Sequence, residues 1–433
     1  MGRTNRKRMS KAPISTDASI RMLLLAGLLA WGEAAFAAES PVATNFTLAA
    51  AVNLALCDNA DLKSLRAKLE AALERPAQAG GLPNPMFSYS GMDMASGGTW
   101  PDTNEKRFMV QQEFPWFGKR SLREGIAAKD AEVMRSELES MTRDVVMMVR
   151  ERYFDLYAVQ RVIAITREEE VVIRRMEKVA ETMYATGARG QADVLKARSE
   201  ITMLKQKLLE LLSREATLKA GLNTLFNRRA NDPLGPATTR PDRGFTGNVD
   251  TLFAASATNR PEVRSAQAQV EKYQLEKKLM AKEYLPDYKL GLEYRDIGDS
   301  DNMAMFTLSV ELPAWQSRYR AGVREAEKMR ASSQAAREAA ERQSEFDVQD
   351  AHSKLLTAQR TLDLYRTELV PQAEARFAAS EAAYRTGKES FIDLLESERF
   401  LLNARIMAAM AEGAMGVQAA RLERAMGADV EDK

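Results

Sequence analysis

Asp393 and Glu396 stand one helical turn apart, a spacing that sets two carboxylates on one face of a helix. Taken alone, such a pair is ordinary charge at a helix N-terminus, where the dipole favours acids. The other chemistry-bearing residues are few. There is one Cys, Cys57, and one His, His352. A disulfide within the chain is therefore excluded, as are zinc and haem sites built from Cys and His clusters. A nucleophilic Cys–His pair would need these two to meet, yet both lie in helical patterns without a supporting motif. No Gly-rich phosphate loop, nucleophile elbow or metal motif occurs, so neither enzymatic activity nor a cofactor is expected. Among 22 Met, Met86, Met92, Met94, Met303 and Met305 cluster on two short stretches. Soft thioethers suit copper(I). Met is also a common core filler, and packing is the expected role.

These residues sit on a chain whose organising feature occurs twice. Tyr184-Ala185-Thr186-Gly187 leads to Asp193-Val194-Leu195, and Tyr384-Arg385-Thr386-Gly387 leads to Asp393-Leu394-Leu395. A Gly after a helix supplies the left-handed turn that lets the chain reverse, and the Asp suits the start of the returning helix. Both copies read as tips of long antiparallel helical hairpins. Rods are expected from about 120 to 184 and from about 320 to 384, with Pro371 the one Pro within them. At 1.5 Å per residue, each is about 100 Å long. Val145, Val149, Leu156, Ile163, Ile173, Met176, Ala180 and Met183 form a narrow coiled-coil seam on the first. The run Arg167-Glu168-Glu169-Glu170 reads as a solvated face. Returning helices are expected over 193–226 and 393–426.

Composition agrees with long helices. The 433 residues carry a net charge of +1, which gives no argument for nucleic acid. Residues 1–37 read as a secretory leader: a basic lead, a short apolar core from Met22 to Trp31, and Ala35-Phe36-Ala37 before the cut. No later stretch is apolar enough for a spanning helix. An exported chain of this kind is either soluble in the periplasm or embedded as β-strands. The expected domains are the leader 1–37, a first repeat 38–226, a linker 227–258, a second repeat 259–426 and a tail 427–433.

Each repeat opens on a helix, 45–82 in the first, and then alternates. Pro83 and Pro85 precede a strand from Met86 to Met94, and a Gly/Pro/Asp loop leads to a second strand ending at Phe114. In the second repeat, Tyr288, Leu290, Leu292 and Tyr294 alternate with polar residues, as do Phe306, Leu308 and Val310. Strands of about ten residues suit a tilted crossing of an outer membrane. An amphipathic sheet packed on helices in a soluble protein fits the alternation equally well. Four strands cannot close a barrel, because about eight are needed. If they cross a membrane, several chains must share one barrel.

The doubled tips, together with Gln111-Gln112-Glu113-Phe114-Pro115-Trp116-Phe117-Gly118-Lys119-Arg120 and Ser309-Val310-Glu311-Leu312-Pro313, resemble the TolC-type outer membrane efflux family, in its heavy-metal-efflux-like branch. The resemblance covers nearly all of the chain after the leader. It implies a mostly α fold with a small β part. Three chains would form an α-barrel and share a 12-stranded transmembrane β-barrel. The implied function is a passive outer membrane channel of a tripartite pump, reaching into the periplasm, with cargo that includes heavy metal cations such as copper. Implied partners are two further copies in a homotrimer, outer membrane lipids, a periplasmic adaptor (membrane fusion) protein, and an inner-membrane pump of resistance-nodulation-division type. By the same resemblance, Asp393 and Glu396 would ring the periplasmic gate. Asp193 and Tyr384 match positions that link the tips. Arg189 and Glu389 stand where a partner pair has exchanged places, so they are expected to pair. Gly187, Ala188, Gly387 and Lys388 would meet the adaptor. Rival readings are a periplasmic coiled-coil scaffold and a type I secretion exit duct.

Overall fold

The computed structural model describes residues 46–94, 103–242, 248–298 and 301–427. The expected leader and the residues beyond Gly427 lie outside these. The first segment is three short helices rather than one: α1 (Leu48–Asp58), α2 (Ala60–Leu73) and α3 (Arg75–Gly80). Asn59 makes the first break. Its Oδ1 accepts from the Leu62 amide at 3.0 Å and its Nδ2 donates to the Leu225 carbonyl at 3.0 Å. A buried side chain thereby replaces the helical ladder at that point.

Strands β1 (Met86–Met94), β2 (Thr103–Phe114), β3 (Asp287–Asp296) and β4 (Met303–Glu311) form one antiparallel sheet in the order β1-β2-β3-β4. The two repeats therefore meet through β2 and β3. Residues directly opposite share a face. One row runs Phe87, Val110, Leu292, Phe306, and the next on that face brings Tyr89, Phe108 and Tyr294 together. The other face carries Glu105, Arg107, Glu293 and Arg295. Its charges are neutralised internally: Arg107 Nε lies 2.7 Å from Glu105, and Arg295 contacts both Glu293 and Glu105.

Strand β2 turns into the first rod at Gly118, whose φ of 84° admits little but glycine. The next residue, Lys119, is 1% exposed and donates to Asp287 at 2.9 Å, to Glu283 at 3.2 Å and to the Leu285 carbonyl at 3.0 Å. Asp287 also accepts from the Trp116 amide at 2.6 Å. One buried cation thus fastens the junction of the first repeat to that of the second.

The first rod is α4 (Lys119–Ala185), 67 residues long, so about 100 Å. It returns through α5 (Gln191–Leu225). The seam residues read from sequence are buried, except Met183, which is half-buried. Helices α6 (Val249–Asn259) and α7 (Pro261–Lys282) lead into β3. After β4 the second rod runs as α8 (Gln316–Leu364), a π-helical turn (Tyr365–Leu369) and α9 (Val370–Arg385), and returns as α10 (Phe391–Met426). Pro371 explains the turn. Lacking an N–H, it leaves a carbonyl of the preceding turn unmatched, and the ladder widens so that Val370 N–H reaches Tyr365 O. The rod continues rather than breaking.

Helix α10 lies closely on α4. A Cβ added at Gly416 would meet the Phe154 ring at 2.7 Å, and one at Gly413 would meet the Phe154 carbonyl at 2.9 Å. Beside this contact, the Tyr153 hydroxyl donates to Phe46 O at 2.8 Å and accepts from Thr239 N at 2.8 Å. The segment after α5 is thereby strapped to the rod.

Candidate functional site

Both rods end the same way. Gly187 and Gly387 have φ of 72° and 77°, and a Cβ at either would meet nothing within 4 Å. Backbone conformation, not crowding, requires glycine there. The following amides turn back onto the helix: Ala188 N donates to Met183 O and Lys388 N to Ala383 O, each at 2.9 Å. Gly187, Ala188, Gly387 and Lys388 are exposed at the ends of the two hairpins.

The helix starts differ. Ser390 and Asp393 form a capping box at α10: Asp393 N donates to Ser390 Oγ, while the Asp393 carboxylate accepts from Ser390 N at 3.2 Å and Ser390 Oγ at 2.6 Å. These bonds hold the Asp393 carboxyl below its ordinary range. In the first tip Gly190 occupies the capping position, and α5 has no side-chain cap. Asp193 sits 3.7 Å from Lys196 instead. Both Asp393 and Glu396 are exposed.

Tyr384 joins the two tips. It is 1% exposed, with Phe391 against its edge and the Arg189 guanidinium 5.4 Å above its ring. Arg189 also donates to the main-chain carbonyl of Glu389 at 2.7 Å. The expected pair therefore meets, but through the backbone. The Glu389 carboxylate instead accepts from Ser380 Oγ. Burial, and then the charge of Asp193, push the Tyr384 hydroxyl above its ordinary pKa. That hydroxyl has no hydrogen-bond partner among the described residues, so Asp193 acts on it through the field alone. The matching residue of the first tip, Tyr184, is 49% exposed.

A few turns above the tips lies a feature that sequence reading missed. Glu169 of α4 and Glu398 of α10 are 3% and 1% exposed, and Glu169 Oε1 and both Glu398 carboxylate oxygens find no hydrogen-bond partner among the described residues. Burial and Glu169 together push Glu398 far above the carboxylate range, so Glu398 keeps its proton at neutral pH. Neighbouring Glu200 of α5 is buried too, but Arg399 Nε reaches it at 3.1 Å. The run at 167–170 is thus not uniformly a solvated face. Glu169 lies seven residues after Val162 and four before Ile173, both buried, and that spacing was the available signal. Among the described residues, no group of three or more His, Cys, Asp or Glu could hold a metal.

The model of the outer membrane efflux protein family matches residues 51–228 and 252–428. The cobalt-zinc-cadmium resistance protein CzcC of Cupriavidus metallidurans is 23% identical over 364 residues, spanning 83% of this chain and 85% of CzcC. Among solved structures, CusC superposes with a TM-score of 0.75 at 16% identity, covering 88% of this chain and 92% of CusC. The outer membrane protein VceC of Vibrio cholerae gives 0.72 at 19%, covering 89% and 97%.

Proposed function

Because the chain belongs to the outer membrane efflux protein family, whose members serve efflux at that membrane, we propose that three copies form a passive duct for heavy metal cations. The observation that carries this is the sheet. One face is apolar and open, with Phe87, Leu292 and Phe306 each more than 60% exposed. Among the described residues, β1 and β4 each have one edge with no strand beside it. In lipid an open edge is untenable, and three sheets of four strands joined edge to edge remove every one. A water-soluble scaffold would leave the same apolar face wet.

In this reading the rods line up as a tube across the periplasm, and the paired tips close it. Asp393 and Glu396 from three copies put six carboxylates near the narrowing, which favours cations. Arg189, Tyr384 and Asp193 hold neighbouring tips together. The exposed turns at 187–188 and 387–388 dock a periplasmic adaptor, which couples the duct to an inner-membrane pump of resistance-nodulation-division type. The duct performs no reaction of its own. The likeness to CzcC and the Pro115 to Arg120 junction support a metal cargo. Planar-bilayer recording tests the duct: purified protein should give discrete conductance that rises when the tips are loosened, and an absence of conductance in every variant would contradict it.

A further inference from the structure

Methionine is an apolar residue, and packing would place it on the apolar face of the sheet or between helices. The register does the opposite. Met86, Met109, Met303 and Met305 all fall on the polar face, and so does Met92, opposite Glu105. None falls on the face of Phe87, Val110, Leu292 and Phe306. Four of them are exposed, Met86 at 54%, Met92 at 45%, Met303 at 51% and Met305 at 39%, while Met109 is half-buried. Core filling does not account for them.

Their levels are ordered along the strands. Met86 lies opposite Gln111, two residues nearer the rods than the row of Ser88, Met109, Glu293 and Met305. Met303 lies in the row of Ser90, Arg107 and Arg295, and Met92 one level further. Every level over this span carries a thioether, with successive levels about 7 Å apart. Met86 and Met109 are diagonal neighbours on adjacent strands, about 7–8 Å between Cα atoms, within reach of long side chains. On the same levels the acids are occupied: Glu105 is held by Arg107 and Arg295, and Glu293 by Arg295. Hard, oxygen-seeking cations find their ligands already neutralised there, while the soft donors stand open.

From this we infer that the polar face is a thioether path for soft monovalent metal ions, copper(I) or silver(I), running the length of the sheet. The inference rests on the duct reading, which turns that face to the lumen. Several weak, evenly spaced sites are what conduction needs, since an ion held tightly at one would not leave.

The test uses the mature protein purified in detergent, in a Cys57→Ser background because the exposed Cys57 thiol would itself take silver. Equilibrium dialysis with silver(I) is compared between this protein and a variant with Met86, Met109, Met303 and Met305 all changed to Leu. The Leu variant should bind silver at least about tenfold more weakly, and zinc(II) should not displace silver from the parent. Peroxide oxidation of the parent, read residue by residue by mass spectrometry, is the second measure and needs no variant to fold. Silver should slow sulfoxide formation at Met86, Met92, Met303 and Met305. Equal silver binding by parent and Leu variant, or unchanged oxidation rates, in a heat-resistant conducting trimer would overturn the path and leave the duct standing. A water-soluble monomer would overturn both.

Discussion

Arg189 is the residue on which the contact between the tips turns. It covers the ring of buried Tyr384 and satisfies a main-chain carbonyl at 389. A pairing of charges at 189 and 389 predicts that exchanging them restores closure. The backbone contact predicts otherwise. Arg189→Ala should raise open-channel conductance, since a cation–π contact and a hydrogen bond of this kind are worth about 0.5–1.5 kcal/mol each. Glu389→Ala should leave it nearly unchanged, and Arg189→Glu with Glu389→Arg should show no rescue in bilayer recordings. The buried acids give a second residue-level expectation. Folded, Glu398 binds a proton that the unfolded chain releases, so its contribution to stability falls as pH rises above the ordinary carboxylate range. The slope is up to about 1.4 kcal/mol for each pH unit. Glu398→Gln should therefore melt higher than the parent at pH 8, and the two should converge towards pH 5 in thermal unfolding monitored by circular dichroism. Residue chemistry was only partly legible beforehand. The resemblance to the efflux family brought out Arg189, Tyr384 and Glu389, but no pattern of residue types tells a guanidinium whether to choose a carboxylate or a carbonyl. Glu169 looked solvated because three of its neighbours in the run are charged, and only the helix phase revealed its burial.

At the scale of elements, periodicity was the reliable guide. The rods, their returns and the four strands follow from spacing that local sequence carries. Two departures have local causes with long-range partners. Asn59 divides the first segment because its amide reaches Leu225, which no window of neighbouring residues contains. Pro371 widens a turn instead of ending the rod because α10 packs along both sides of it. Where α4, α7 and α10 converge, Glu262 accepts from Arg424 and from Ser140, the latter at 2.7 Å. Burial opposes its ionisation, but these bonds outweigh it and bring Glu262 down to about 2. Its contribution is thus present above the ordinary carboxylate range and lost as pH falls towards 2. With the site partly open to solvent, about 1–2 kcal/mol is at stake. Acid titration of helical signal should show Glu262→Gln less stable than the parent at pH 6 and indistinguishable from it near pH 2.

On the scale of the whole molecule, one chain presents half-finished surfaces: an apolar sheet face, two strand edges and an exposed Tyr184 where Tyr384 is covered. The need for partners was readable from strand count once the strands are taken to cross a membrane, because four strands fall short of a closed barrel. Alternation sorts methionine from the aromatics within each strand, but that the thioethers of different strands share one face was not displayed, since it requires the register between strands. The apolar face should be the sensitive one. Leu292→Lys places a charge amid it, at a cost of about 2–4 kcal/mol if it lies at mid-membrane, and should lower the amount of protein recovered from outer membranes. Thr307→Lys, one strand away on the polar face, should be tolerated.

Native mass spectrometry of the detergent-extracted outer membrane fraction puts the shared barrel to its most direct trial. Three copies in one complex, resistant to dissociation until heated, is the predicted result. A single copy recovered from the soluble periplasmic fraction, stable without detergent, would contradict it.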